Sequence, residues 1–455
     1  MLTSFFVKYK EQYNRNLALA LPVVLTQLGQ ILTQVADNLM VGHYGGTDPV
    51  PLAAVSFGGA VFFILFIASI GIAMGLTPLI GELYVRGNHR KASELLHNAI
   101  FFYVILGFFV SLVQWASIPL MHHMGQPAEI VEMAIPYYKM LLMSMPFIML
   151  FFAFKQFLEG TGNTKVELAV TIVCNIANCL FNWIFIYGHM GSPKMGIEGA
   201  GLGTLLARII GAMLIAGYFI YNVRYRSYLR HFSWRNCSLG KIMQLLHIGL
   251  PISAQMFMES SAFVGTSIMM GWFSKEVMSA NQITSTLSNS AFMIVLSIGA
   301  ATTIRVSHCF GRRDTRELVL AAKASYHLVL LWNAIAALFF ISLRHIIPQF
   351  FTENAEVISI TSSLLIFSAF YQLSDGIQNV SVGVLRGIQD VKAIMPIAFV
   401  SYWLLNLPVG YLLAFPAGLG PEGLYLGFFF GLSVAALLYV RRIRRSFRRL
   451  YNDTI

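Results

Sequence analysis

Three acidic residues, Asp37, Glu259 and Asp375, stand inside long apolar runs. A carboxylate at the centre of a bilayer costs several kcal/mol, so each must face a cavity and be protonated, paired or bound to a cation. The neutral polar residues able to share that work have helical spacing. Asn178 and Asn182 are four apart and fall on one helix face. A rise of ~1.5 Å per residue puts Asp37, Asn178, Asn182 and Thr204 at similar depth, within reach of one cavity, and places Glu259 and Asp375 near mid-membrane. Two neighbouring carboxylates offer oxygens to Na⁺ or share a proton. The expected cation-coupling groups are therefore Asp37, Glu259 and Asp375, with Glu259 and Asp375 as possible Na⁺ ligands, and Asn178, Asn182 and Thr204 are expected to line a cation or substrate cavity. The bland alternatives are an acid paired with an arginine and an amide or hydroxyl that cements helix packing. Arg208, in the same run as Thr204, could pair with an acid or snorkel, and the sequence leaves its role open.

The elements that must position these residues are membrane spans. The 455 residues are 57% hydrophobic and 11% charged, with a mean hydropathy of +0.68. Too few polar side chains exist to coat a soluble surface. Windows of ~20 apolar residues, each long enough to cross about 30 Å of hydrocarbon, give about twelve spans. The first is written twice: LPVVLTQLGQILTQVADNLMVG starts at Leu21 and LPISAQMFMESSAFVGTSIMMG at Leu250. Pro22 and Pro251 are 229 residues apart, as are Gly42 and Gly271. This register sets Gln30 opposite Glu259 and Asp37 opposite Thr266, so the copies carry their acids at different depths. The repeat continues, because Phe157-Leu-Glu-Gly-Thr-Gly-Asn-Thr-Lys165 matches Val384-Leu-Arg-Gly-Ile-Gln-Asp-Val-Lys392 and Gly196-Ile-Glu-Gly199 matches Gly420-Pro-Glu-Gly423.

The formal net charge is +11, but the basic residues are spread between the apolar runs and form no single patch, which argues against nucleic acid. Lysine and arginine concentrate in alternate connections, so both termini are expected in the cytoplasm. The fold expected is an all-α integral membrane protein of twelve transmembrane helices in two pseudo-symmetric six-helix lobes, related as parallel repeats. Its parts are a first lobe over 1–222, a cytoplasmic linker over 223–243, a second lobe over 244–441 and a basic tail over 442–455, whose arginines suit anionic membrane lipid. The four cysteines have no C-x-x-C spacing and read as reduced and structural. Met256, Met258, Met269, Met270 and Met293 offer adaptable apolar surface for either the core or a substrate wall. No G-x-x-x-x-G-K-[ST], H-E-x-x-H or G-x-S-x-G occurs, so an ATPase or hydrolase is not expected and no cofactor is implied.

Pro22 with Asp37 and Gly42, Gly160-Thr-Gly-Asn-Thr-Lys165, Asn178 with Asn182, the glycine-rich segment 196–204, Pro251 with Glu259, and Asp375 ahead of Arg386-Gly387 together carry a resemblance. The chain resembles the multidrug and toxic compound extrusion (MATE) family, most closely its NorM branch. That resemblance implies a V-shaped arrangement of two six-helix bundles. It implies export of organic cations and drugs, lipophilic or cationic small molecules, in exchange for Na⁺ or H⁺. It also implies a first-lobe cation site at Asp37, Asn178, Asn182 and Thr204, a second-lobe pair at Glu259 and Asp375, and a monomer in the bacterial inner membrane. Asn182 departs from relatives that place an aspartate there, which leaves Asp37 as the clear acid of the first site. A lipid-linked precursor flippase of the same superfold, or a receptor that binds ligand without moving it, are the alternative functions.

Overall fold

The computed structural model describes residues 2–46, 48–230 and 237–452. Positions 231–236 of the expected linker, Arg235 among them, and 453–455 of the expected tail lie outside the described residues. The described chain is helical: α1 (Leu2–Gly45), α2 (Val50–Ala73), α3 (Leu76–Val85), α4 (His89–Ala116), α5 (Ala128–Gly160), α6 (Thr164–Tyr187), α7 (Ile197–Tyr221), α8 (Val223–Leu229), α9 (Leu239–Gly271), α10 (Lys275–Gly311), α11 (Thr315–Leu343), α12 (Ala355–Gly387), α13 (Ile394–Ala398), a π-helical stretch (Phe399–Asn406) that runs into α14 (Leu407–Ala414), and α15 (Pro421–Asn452). Eleven stretches among the described residues are long and apolar enough to cross a membrane, with α2 and α3 forming one of them and Val391–Ala414 another. The twelfth long helix is α9, which is 33 residues long. Its Gln255, Glu259, Ser260, Ser261 and Thr266 thin its hydropathy, and two of these residues build the site described below.

Contacts gather the chain into two compact units, Leu25–Ser253 and Met1–Val24 with Ala254–Ile455. The boundaries fall inside two helices, α1 and α9. In the first unit α5 is the hub and packs on α2, α4 and α7; in the second, α12 is the hub and packs on α10, α11 and α15. The repeat seen in the sequence is thus a repeat of packing. Gly160 ends α5 where an added Cβ would stand 2.7 Å from Ile80 and 2.9 Å from the Thr77 carbonyl. Gly387 ends α12 where a Cβ would stand 2.7 Å from Val306 and 3.0 Å from the Thr303 carbonyl. Even the turns correspond. Left-handed backbone falls at Gly87 (φ 69°) and Arg313 (φ 59°), and at Gly162 (φ 81°) and Gln389 (φ 60°). The first copy uses glycine, which adopts this conformation without steric cost, where the second uses a side-chain-bearing residue.

The N-terminal part of α1 is fastened within its own unit. Buried Arg305 on α10 donates to Gln12 Oε1 at 2.7 Å, Asn16 Oδ1 at 3.3 Å and Glu317 at 3.2 Å, and Asn16 Nδ2 donates to Ser325 Oγ at 2.9 Å. The start of α9 is fastened within the other unit, by the Ser238 amide on Asn98 Oδ1 at 2.7 Å and by Lys241 near Glu94 at 3.6 Å. There Gly249 lets α9 lie directly on the backbone of Ile72. Glu159 and Glu167, at span ends, are buried around Lys155, which sits 2.8 Å from Glu167 and 3.8 Å from Glu159. In the second unit Met269 and Met270 are buried with Tyr371, Tyr402, Tyr425 and Phe428, so these two methionines belong to the core.

Candidate functional site

The acids and amides singled out by the sequence gather, among the described residues, into one constellation in each unit. In the first, α6 presents Asn178 and Asn182 one turn apart. Asn182 Nδ2 donates to Asp37 Oδ1 on α1 at 2.6 Å, and to Asn178 Oδ1 at 3.5 Å. Asn178 Nδ2 donates to Thr204 Oγ1 on α7 at 3.3 Å, and the Thr204 hydroxyl donates to the Ala200 carbonyl at 3.0 Å. The four residues expected from sequence therefore form one chain across three helices. Small residues make it possible. An added Cβ on Gly29 would stand 2.9 Å from Asn175, so α1 lies close to α6, and Gly203 leaves the space on α7 that the Asn182 side chain occupies. One turn beyond Asp37 the Tyr187 hydroxyl holds the Met40 carbonyl at 2.8 Å, which fixes α1 against α6.

The structure also places Arg208. It extends from the middle of α7, one turn from Thr204, and Nη1 donates to Ser144 Oγ on α5 at 2.6 Å. Its guanidinium carbon lies 5.1 Å from the Phe62 ring centre and 5.8 Å from that of Phe66. Asp37 and Tyr137 are within its electrostatic reach. Arg208 does not snorkel, and among the described residues it forms no direct ion pair. It is held against α5 and α2, and the first constellation carries one partly buried acid and one partly buried base.

The second constellation is built on α9 and α12. Gln255 and Glu259 share a face of α9, and Gln255 Nε2 donates to Glu259 Oε2 at 2.6 Å. The other end of the same amide accepts from Arg386 Nη2 at 2.8 Å. Gln255 thus links the arginine to the acid. Asp375 is 3% exposed and interacts electrostatically with Glu259. From the π-helical stretch Tyr402 turns inward, within electrostatic reach of both acids. Asp375 Oδ1 is buried with no hydrogen-bond partner among the described residues, and Glu259 Oε1 and the Tyr402 hydroxyl are buried with none there except each other. Oxygen atoms left in that condition fit a hard monovalent cation or a proton, because each is otherwise costly to bury. The charges agree. Two acids face one arginine, so one negative charge remains for a cation. Among the described residues no group of three or more His, Cys, Asp or Glu could hold a metal ion, and a site here would draw on two carboxylates and neutral oxygens.

Sequence reasoning missed Tyr402 and Gln255. Gln255 could have been found, since it lies one helical turn before Glu259. Tyr402 gave no signal, because its inward turn depends on a π-helical register that spacing rules do not anticipate. The two copies differ where the chemistry differs. By repeat register Asn406 stands where Asn178 stands in the first copy and Phe428 stands in place of Thr204, and Phe428 stacks on Phe263 with ring centres 4.4 Å apart. At this position the second copy carries aromatic core.

A set of six spans used twice, with acids set in polar surroundings within the spans of each unit, defines a polytopic membrane protein built by internal duplication. The profile of one family, described as MatE, matches residues 22–184 and again 251–412, once for each copy. The chain belongs to that family, whose members include multidrug transporters. It is 29% identical over 441 residues to the multidrug resistance protein NorM of Vibrio cholerae and 29% identical over 440 residues to that of Photobacterium profundum, covering 96% of both chains in each case. Its fold matches that of a mutant form of the Vibrio cholerae MATE transporter VcmN (TM-score 0.89, 19% identity, 98% of this chain and 99% of that one). It also matches an outward-facing multidrug resistance MATE transporter of the MOP superfamily (TM-score 0.86, 21% identity, 97% of each chain).

Proposed function

We propose that this protein is a secondary active antiporter of the inner membrane, with both termini cytoplasmic, that exports lipophilic or cationic small molecules in exchange for Na⁺ or H⁺ by alternating access. Family membership supports the efflux reading. The observation that carries the coupling is the unbalanced second-unit pair, in which Asp375 Oδ1 is buried and unpartnered among the described residues and Glu259 Oε1 and the Tyr402 hydroxyl are buried with no partner there but each other. Such a group binds one monovalent cation and loses it when water and a cationic substrate reach it. A membrane potential adds ~2.3 kcal/mol per charge per 100 mV, enough to drive exchange before any concentration gradient is counted.

The test is efflux of a fluorescent cation from proteoliposomes with Na⁺ and proton gradients imposed separately. Flux under either gradient that is lost in Glu259→Gln and Asp375→Asn supports the assignment. Flux unaffected by both substitutions removes the coupling role from this pair, and absence of flux under either gradient turns the reading to a flippase or a receptor.

A further inference from the structure

The last helix, α15, changes character along one face. Phe430 and Leu437, in line on the helix two turns apart, are 48% and 71% exposed. One turn further the same line carries Arg441, then Arg444, Arg445 and Arg448, all exposed and at the i, i+3, i+4, i+7 spacing of a single helix face. The opposite face is buried at Tyr439, Ile443 and Ser446. Arg442 is turned off the basic face, with its Nε and Nη2 on Asp390 at 2.8 Å and 2.7 Å. Among the described residues none of the four face arginines forms an ion pair. The shared fold does not require their charge. In the register that pairs Gly199 with Gly423, Arg441, Arg444 and Arg445 stand where the first copy has Gly217, Ile220 and Tyr221. Arg442 stands in place of Tyr218 and Asp390 in place of Asn163, and there too the two meet, Asn163 Nδ2 donating to the Tyr218 hydroxyl at 3.4 Å. The inward contact is common to both copies, and the outward charge belongs to the second alone. α7 ends at Tyr221, the counterpart of Arg445, whereas α15 runs on to Asn452 and carries Arg448 with it.

We propose that Arg441, Arg444, Arg445 and Arg448 form a binding surface for the phosphates of anionic phospholipids, a surface separate from the coupling site. α15 is long and apolar enough to cross a membrane, so the exposed line through Phe430 and Leu437 lies against acyl chains. The arginines continue that line without a break, and this places them where acyl chains give way to headgroups. A soluble phosphate would gain nothing from the apolar half of the face, whereas a phospholipid matches both halves. Arginine suits the task. Its aliphatic stem lies along apolar surface while the guanidinium reaches out, and the planar head takes a phosphate through two parallel bonds. Each basic residue beside an anionic bilayer surface raises local lipid preference by a factor on the order of five. Four of them held on one rigid helix face gather headgroups at this place on the protein, and Arg442, held by Asp390, takes no part.

The experiment places the purified full-length protein in nanodiscs of phosphatidylcholine and phosphatidylglycerol in equal amounts, with a trace of one or the other lipid carrying a diazirine on its acyl chain. Irradiation and mass spectrometry of α15 then measure which lipid stands beside this face. In wild type, phosphatidylglycerol is expected to label the helix at least about fivefold more than phosphatidylcholine. With Arg441→Gln, Arg444→Gln, Arg445→Gln and Arg448→Gln combined, the two lipids are expected to label within about twofold of each other. Arg442→Gln is expected to leave the wild-type ratio within about twofold, because that guanidinium is already engaged. If the combined variant does not fold, Arg444→Gln with Arg448→Gln is the readout, with the ratio expected to fall at least about twofold. Equal labelling in wild type, a preference that survives loss of the face arginines, or one lost as fully in Arg442→Gln overturns the proposal. A preference abolished by millimolar glycerol phosphate also overturns it, by making the face a site for a soluble phosphate.

Discussion

Asn182 donates a 2.6 Å hydrogen bond to Asp37, joining α6 to α1 inside the apolar thickness of the first unit. The amide gives the carboxylate a donor without adding a second negative charge, and by the same bond it brings Asn178 and Thr204 to the acid. Replacing Asn182 by leucine keeps much of the volume and removes the donor. A lost hydrogen bond to a charged group is worth roughly 1.5–3 kcal/mol, so efflux of a cationic drug is expected to fall at least about tenfold. Asp37→Asn should fall at least as far. Drug resistance in cells at matched expression checks both, and full resistance from either would take Asp37 out of the transport cycle.

The Tyr402 hydroxyl is the neutral member of the second-unit oxygen set. Tyr402→Phe keeps the ring packed in the core formed with Tyr371 and Phe428 and removes one oxygen. The concentration of coupling ion needed for half-maximal flux is expected to rise by about tenfold or more, with maximal flux retained. Glu259→Gln and Asp375→Asn should instead abolish ion dependence. A titration of flux against Na⁺ and against pH separates these outcomes, and an unchanged midpoint in Tyr402→Phe would exclude its hydroxyl as a ligand.

Arg305 and Arg15 both meet Glu317, but Arg305 is buried with Gln12 and Asn16 while the Arg15 side chain is 44% exposed. Removing one partner of a buried ion pair costs roughly 3–5 kcal/mol, whereas an exposed pair contributes about 0–1 kcal/mol. Arg305→Leu is therefore expected to lower the thermal unfolding midpoint markedly and to loosen the N-terminal part of α1. Arg15→Ala should change it little. Equal effects would mean that burial does not govern this contact.

Arg313 occupies left-handed backbone at φ 59°, where the first copy has Gly87. A side-chain-bearing residue in this region costs roughly 1–2 kcal/mol, and the extra unfolded-state freedom of glycine returns about 0.5–1 kcal/mol of that. Arg313→Gly should stabilise by about 0.5–1 kcal/mol, read as a small rise in the unfolding midpoint. A fall would show that the Arg313 side chain makes contacts that outweigh the backbone strain.

Asp390 receives Arg442 Nε at 2.8 Å, Arg442 Nη2 at 2.7 Å and the Ser446 hydroxyl at 2.5 Å, which ties the turn after α12 to α15. Burial pushes the carboxyl up, but the bonds from Arg442 and Ser446 overcome it and hold the group below its usual value of 3.8. A carboxyl depressed in the folded state stabilises fully above its unfolded value and loses that contribution as pH falls through the folded one. The partly exposed pair should contribute about 1 kcal/mol at neutral pH. Asp390→Asn is expected to lower the unfolding midpoint at pH 7 and to match wild type only at a pH well below 4. A difference that is the same at every pH would show that the ion pair is not its source.

Much of this protein was legible in the sequence by itself. The run length of its apolar windows requires membrane spans, because only a helix of about 20 residues satisfies its backbone across hydrocarbon. The repeat of Pro22 at Pro251, and of Gly160 at Gly387, announced a duplicated packing, since a glycine that admits a close helix contact is needed wherever that contact recurs. Asp37, Asn178, Asn182 and Thr204 could be grouped by helical spacing and depth, which are one-dimensional quantities.

The tertiary structure decided what depends on direction. Depth does not say which way Arg208 points, and only the positions of Ser144, Phe62 and Phe66 turn it onto α5 and α2. Hydropathy does not foresee the π-helical stretch that delivers Tyr402 beside two acids. The unit boundaries inside α1 and α9 likewise follow from which parts of those helices contact which neighbours, and chain order carries no such information. Spacing fixes what a helix can present. Packing against neighbours selects what it does present, and the charge balance of each buried site follows from that selection.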